Sequence, residues 1–315
     1  MTHSTTAEEI EQCLLEQRNE AQAKHLMRFF KTNPGEYGAG DKFIGLKAPQ
    51  TRAIVKLAKG TVSLKEIEKL LYSKWHEVRL SGFLLLVEEM ILAIPKKKDK
   101  DAEKKALKRD EIAHFYLSHA RQANNWDLVD MSCPKILGIW LVYAPENIKI
   151  LERLAVSDNL WEQRIAMVSN WMLIRHNIIE PTITIATKLL HHPHDLIHKA
   201  VGWMLREMGK RDIEALNDYL EAHHSDMSRT TLRYAIEKLP ENKRQFWLRP
   251  CPTRNVNSRV AETSEFGLAG EGAYRAKRLR QKVKIAKVLR DHTIGKFPGN
   301  RCSPEIFLWY DINWL

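Results

Sequence analysis

The sequence predicts an all-α fold, a HEAT-like repeat solenoid of antiparallel helical hairpins with a basic C-terminal extension. Three observations carry this. Apolar residues recur with helical period from the start to about residue 240. No run of alternating strand residues interrupts them. Helix-start signals and brief polar links return again and again, which suits short stacked hairpins better than one bundle.

Taken in chain order, Ala48-Pro49 sets a proline where a helix opens, and Ser63-Leu-Lys-Glu66 has the spacing of a capping box. Residues 95–110 read as a charged, solvated link into the next helix. Pro145, Pro181 and Pro193 punctuate the later joints. Aligning the second helix of each expected hairpin gives a weak internal repeat. Its equivalent positions are Arg79, Asp130, Arg164, Lys199 and Arg229, separated by 51, 34, 35 and 30 residues. Paired helices at such steps have HEAT-like spacing, and stacking them exposes the same position of every repeat on one curved face. Four cations around one carboxylate would line that face.

The texture changes after Leu248, so two regions are expected: 1–248 as the repeat domain and 249–315 as a basic extension, partly disordered or one helix over about 273–291. The extension carries 13 Lys and Arg against 6 Asp and Glu, which is +7 of the chain's +11. A solvated helix is the plain reading of that charge, and a supplementary nucleic-acid contact is the sharper one.

Composition removes several functional classes. Hydrophobic residues make up 44% and charged residues 28%, enough to fill a core, so this is not a disordered chain. The longest apolar run stops at Glu88 and Glu89, well short of a membrane span. The first residues lack the basic and apolar stretches of a signal peptide. Four scattered cysteines exclude a disulfide scaffold and suit a reducing cytoplasm. There is no Walker loop, GxGxxG or GxSxG. His191-His192-Pro193-His194 tempts a metal reading, but a proline interrupts it and no carboxylate or cysteine completes the spacing, so neither metal nor cofactor is expected. Gly35-Glu-Tyr-Gly38-Ala-Gly40 fits no phosphate loop and reads as a flexible connection.

What remains is a set of aromatic and ionic stripes. Trp126 and Asp130 stand one helical turn apart; Trp161 and Arg164 share a face continued by Trp171 and Arg175; Lys199, Trp203 and Arg206 form a third stripe. If these faces line one groove, it holds flat apolar platforms, cations for phosphates and one anion. Each tryptophan can equally be a core residue, and Asp130 can equally be a salt-bridge partner of Arg164 joining adjacent repeats. Both alternatives stand at this level.

Four stretches, in order, carry a resemblance: Phe43-Ile-Gly-Leu-Lys-Ala-Pro-Gln-Thr-Arg52, Trp126-Asp-Leu-Val-Asp130, Ser157-Asp-Asn-Leu-Trp-Glu-Gln-Arg164 and Lys199-Ala-Val-Gly-Trp-Met-Leu-Arg-Glu207. Over roughly residues 10–248 the sequence resembles the AlkD-type DNA alkylation repair proteins, HEAT-like alkylpurine DNA glycosylases. The resemblance implies a catalytic set of Trp126, Asp130 and Trp203, with Arg164 beside them. It implies double-stranded DNA containing alkylated bases as the partner and release of cationic N3- or N7-alkylpurines as the reaction. A soluble monomer of the cytoplasm, associated with the nucleoid when bound to DNA, follows from the same likeness. Arg79, Lys199, Arg206 and Arg229 are the further expected DNA contacts. The chain departs from the family pattern at Asn33 to Lys42, a longer glycine-bearing loop. A rival reading keeps the groove and removes the chemistry, leaving a HEAT-like module that binds DNA or another polyanion.

The charge of the extension gives a first testable outcome. Deleting residues 249–315 should flatten the slope of log K against log salt for DNA binding, measured by fluorescence anisotropy, because fewer counterions are released. An unchanged slope would remove the extension from the DNA contact.

Overall fold

The computed structural model describes residues 4–96 and 99–249. They form fifteen α-helices: α1 (Ala7–Leu15), α2 (Glu20–Phe29), α3 (Ala48–Ala58), α4 (Leu64–Leu71), α5 (His76–Leu92), α6 (Ala102–Ser118), α7 (Trp126–Tyr143), α8 (Lys149–Ala155), α9 (Leu160–Val168), α10 (Asn170–Arg175), α11 (Glu180–Lys188), α12 (Asp195–Arg211), α13 (Ile213–His223), α14 (Arg229–Ile236) and α15 (Glu241–Leu248). Among the described residues the sole β feature is an isolated bridge between Lys42 and Trp75. The extension expected over 249–315 lies, apart from Arg249, outside the described residues.

Packing arranges the helices in two rows. Helices α3, α5, α7, α9, α12 and α14 each touch the next, while α4, α6, α8, α11 and α13 each pack against members of that row. The repeat positions 79, 130, 164, 199 and 229 fall on α5, α7, α9, α12 and α14, which is the continuous row. The positions aligned in the sequence thus fall on consecutive helices of that row. Helices α5 and α7 sit at its centre and are apolar almost all round, as buried helices are. One core runs from Ala7 to Trp247, and a small satellite of Ala23, Leu26, Phe30 and Phe43 packs against Trp126.

Two local expectations are corrected. Ser63 does cap α4 by accepting from the Glu66 amide at 3.3 Å, but the Glu66 carboxylate turns away and accepts from the Ala7 amide at 2.9 Å. The reciprocal half of the capping box is lost to a tertiary bond that seats α1. The charged link ends sooner than 110, because α6 begins at Ala102 and its inner face reaches the core at Arg109 and Ile112.

The Phe43–Leu46 segment shows how the N-terminal helices are held. Glu77, buried on α5, accepts hydrogen bonds from the amides of Ile44 (2.9 Å), Gly45 (2.8 Å) and Leu46 (3.1 Å). Gly45 has φ +101°, and a Cβ there would lie 2.0 Å from the Asn19 carbonyl oxygen. Replacing Glu77 with Ala leaves three buried amides without an acceptor, at about 1–3 kcal/mol each. Urea unfolding of E77A should therefore show a loss of at least ~3 kcal/mol; a loss under ~1 kcal/mol would mean the segment is held by other contacts.

Candidate active site

The site is built where α7 begins. Trp126 is its first residue, and Asn125, buried before it, accepts from the Trp126 amide at 2.8 Å. One turn further, Asp130 meets Arg164 of α9. The guanidinium donates twice, Nε to Oδ1 at 2.8 Å and Nη2 to Oδ2 at 2.7 Å, and its Nη1 donates to the Leu196 carbonyl on α12 at 2.5 Å. Three successive helices of the continuous row are thus tied at one point. The Asp130 side chain keeps 17% of its surface exposed against 6% for Arg164, so the aspartate is the more open member of the pair. Burial raises the Asp130 pKa above the usual aspartate value, and the Arg164 charge and hydrogen bonds oppose that rise.

Trp126 is half-buried and framed by aromatics. Phe30 stacks on it at 5.2 Å and Phe29 meets it edge-on at 5.9 Å. Trp161 is buried at the first turn of α9. Trp203 is half-buried against the core, four residues along α12 from Lys199.

Behind Trp126 lies an ionic network that sequence reasoning missed. His76, buried at the start of α5, stands between two carboxylates: Nδ1 faces Asp41 Oδ2 at 3.0 Å and Nε2 faces Asp127 Oδ2 at 2.8 Å. Burial alone would lower its pKa, but Asp127 and Asp41 together raise it to about 9. Asp41 also accepts from Arg79 and, at 3.3 Å, from Asn124, and its pKa is held below the usual range. Of these residues only Asp127 lies on the helix of the Trp126–Asp130 stripe, and its partners come from elements far away in the chain, so periodicity offers no route to the network. The available signal was chemical: Asp127 points to the core side of α7, where a lone carboxylate needs a partner.

The expected cations divide. Arg79 is corrected: its guanidinium is buried with Asp41 and the Ser73 carbonyl (2.9 Å), because α5 lies inside the stack and a charge there must be paired. Arg164 is likewise turned inward and spent on Asp130. Lys199 is half-buried and pairs with Asp195 one turn back at 2.9 Å. Arg206, half-buried, pairs with Glu237 of the next helix. Arg229 is exposed, and its Nη1 reaches the Leu248 carbonyl at 3.3 Å. Burial lowers the pKa of His194, and the nearby charges of Arg164 and Lys199 add to that.

The histidines of the 191–194 run have structural work. His192 Nε2 lies 2.8 Å from Gln163 Oε1, and His194 Nδ1 accepts from the Leu196 amide at the start of α12. Among the described residues no group of three or more His, Cys, Asp or Glu is arranged to hold a metal ion, and no helix is long and apolar enough to cross a membrane.

Residues 10–239 match the family model of the DNA alkylation repair enzyme. The chain belongs to that family. Membership gives it a role in DNA alkylation repair, with DNA as the partner. Among solved structures, a predicted DNA alkylation repair enzyme from Enterococcus faecalis is similar at 18% identity, with a TM-score of 0.54 over 71% of this chain and 98% of that one. At that identity the likeness speaks for the all-α repair fold alone. No curated protein matches. In this DNA alkylation repair protein the family match ends at 239 and so leaves α15 and all that follows outside it.

The buried histidine predicts a pH dependence of stability. Its folded pKa of about 9 exceeds the 6.5 of free histidine, so its contribution is complete below pH 6.5 and is lost as pH rises through 9. Thermal melts from pH 6 to 9.5 should show Tm falling over that window, and His76→Gln should lower Tm and flatten the dependence. A His76→Gln protein with the wild-type slope would place the titration elsewhere.

Proposed function

We propose that this protein is a DNA glycosylase that hydrolyses the N-glycosidic bond of cationic N3- or N7-alkylated purines in double-stranded DNA. The observation that carries the reading is a partly exposed aspartate, held by one arginine, one turn from a half-buried tryptophan. Alkylation at N3 or N7 puts positive charge on the base, and departure of the base leaves an oxocarbenium-like sugar. Asp130 would stabilise that developing charge and orient the attacking water. The faces of Trp126 and Trp203 would offer a negative quadrupole to the same cationic centre. Arg164 fixes the carboxylate in one orientation; each oxygen that accepts from it keeps a further lone pair for water or sugar. Lys199, half-buried, and Arg229, exposed, would touch phosphates without reading sequence.

A specific observation also supports a second reading. The Asp130–Arg164 pair ties α7, α9 and α12 together, which is what a purely structural ion pair in a DNA-binding module would do. The two readings part on Asp130→Asn. The glycosylase reading expects release of 7-methylguanine from methylated duplex to fall by ~10² or more. It expects binding to undamaged duplex to hold. Melting temperature falls under either reading, because disrupting a buried pair costs about 3–5 kcal/mol. The wild-type pH–rate profile should have an acid limb above the ordinary aspartate value of 3.8, since the raised pKa leaves less carboxylate on the acid side. Unaltered release from a folded Asp130→Asn protein would eliminate the catalytic assignment, and no release by wild type would favour the binding module.

A further inference from the structure

The histidines before and within the start of α12 are ordered by hydrogen bonds that fix the proton of each ring. A backbone N–H can only donate. His192 Nδ1 accepts from the His194 amide at 3.0 Å, and His194 Nδ1 accepts from the Leu196 amide at 3.1 Å. Both rings are therefore neutral, with the proton on Nε2. From there His192 donates to Gln163 Oε1 on α9 at 2.8 Å, and His198 donates from its own Nε2 to the His192 carbonyl at 2.6 Å.

His194 is the N-cap of α12, and Leu196 lies in the first turn. The carbonyl of the same Leu196 accepts from Arg164 Nη1 at 2.5 Å, while the other two nitrogens of that guanidinium hold Asp130. A chain of hydrogen bonds thus runs from an imidazole, through one residue of α12, to the carboxylate of the candidate site. The glycine-bearing loop, read from sequence as a flexible connection, has a defined shape, with the Gly38 amide donating to the Lys31 carbonyl at 3.0 Å. It carries the Tyr37 ring onto His194, edge-on at 6.3 Å, and onto Trp161 at 6.1 Å.

The surroundings of the cap work against a proton. Protonated His194 would turn an N–H toward the Leu196 N–H and set a cation at a helix N-terminus. Burial lowers the His194 pKa below the ordinary 6.5; Arg164 from α9 and His198 and Lys199 from α12 add to that, and Asp195 opposes it. Tyr37, whose phenol burial keeps protonated, brings no charge. The cap is complete above pH 6.5 and is lost as pH falls through the lowered value.

We propose that His194 is a positioning residue of the candidate site: its neutral imidazole fixes the first turn of α12, and through the Leu196 carbonyl that turn holds Arg164, and with it Asp130, in place. The consequence for base release rests on the glycosylase reading; the consequence for Arg164 does not.

The test uses the full chain with His194→Ala, which removes the acceptor, and His194→Asn, which keeps an N-cap acceptor that takes no proton. The Arg164 Nε–H resonance, assigned by its loss in Arg164→Lys, should shift in His194→Ala and return to its wild-type position in His194→Asn. Single-turnover release of 7-methylguanine at pH 7.5 should slow by ~5–10-fold in His194→Ala, the worth of one lost cap, and stay within ~2-fold of wild type in His194→Asn. The ratio of the His194→Asn rate to the wild-type rate should rise as pH falls from 7.5 to 5. An Arg164 resonance unmoved in His194→Ala overturns the proposal, because a cap serving α12 alone would lower Tm and leave the guanidinium as it was. A moved resonance with the wild-type rate, or a ratio flat with pH, overturns it as well. If His194→Ala does not fold, that ratio decides. If wild type releases no base, the glycosylase reading fails by itself. His194 is then judged by the Arg164 resonance, which should shift between pH 7.5 and 5 in wild type and hold in His194→Asn; equal behaviour of the two proteins overturns the proposal.

Discussion

A charge removed from water must find its opposite, and this constraint organises the whole N-terminal half. Helix α5 runs through the centre of the stack and carries His76, Glu77 and Arg79 into it within one turn. Each is answered from outside the helix. Glu77 takes three amides of residues 44–46, Arg79 takes Asp41, and His76 takes both Asp41 and Asp127. Asp41 lies at the end of the glycine-bearing loop and Asp127 on α7. Satisfying the His76 cation thus joins that loop to the helix bearing Trp126 and Asp130. The same groups seat the satellite core of Phe30 and Phe43, since Phe43 stacks on the His76 ring at 4.4 Å. The aromatic frame of Trp126 is a consequence of buried charge.

Asp130 and Arg164 meet the same constraint with a different balance. His76 is enclosed by two carboxylates and its charge is fully compensated. Asp130 has a single cationic partner and a partly exposed side chain, so burial still pushes its pKa upward. A carboxylate so placed gains when a second positive charge arrives. A cationic base or sugar is such a charge. That incomplete compensation separates a group able to act on a ligand from one that only holds the fold.

The helices and their row were legible in the sequence because both follow from periodicity. Capping residues and prolines mark the starts, and the spacing from Arg79 to Arg229 picks out α5, α7, α9, α12 and α14. Stripes such as Trp126–Asp130 were legible for the same reason. What periodicity cannot carry is the direction of a charge whose partner lies far along the chain. Arg79 shares a repeat position with Arg164 and Lys199, yet it points into the stack because Asp41, 38 residues away, waits there. Tyr37 was hidden for a related reason. Its loop has no period, and its ring partners Trp161 and His194 lie on α9 and just before α12, so only the folded chain brings them together.

The pairing of these cations also bears on where attraction to DNA resides. Arg79 and Arg164 are consumed inside the stack, and Lys199 and Arg206 face carboxylates of their own. Of the chain's +11, residues 249–315 hold +7, which leaves +4 for everything before them. A site that stabilises a cation cannot surround its carboxylate with uncompensated positive charge, because each nearby cation lowers the gain from binding another. Moving most of the net charge to a separate stretch of sequence resolves that conflict. Non-specific attraction to phosphates falls with salt over a Debye length of about 8 Å at physiological ionic strength, so a basic extension can raise affinity without sitting in the site's field. On the glycosylase reading proposed above, the carboxylate would then be free to respond to the charge on the lesion.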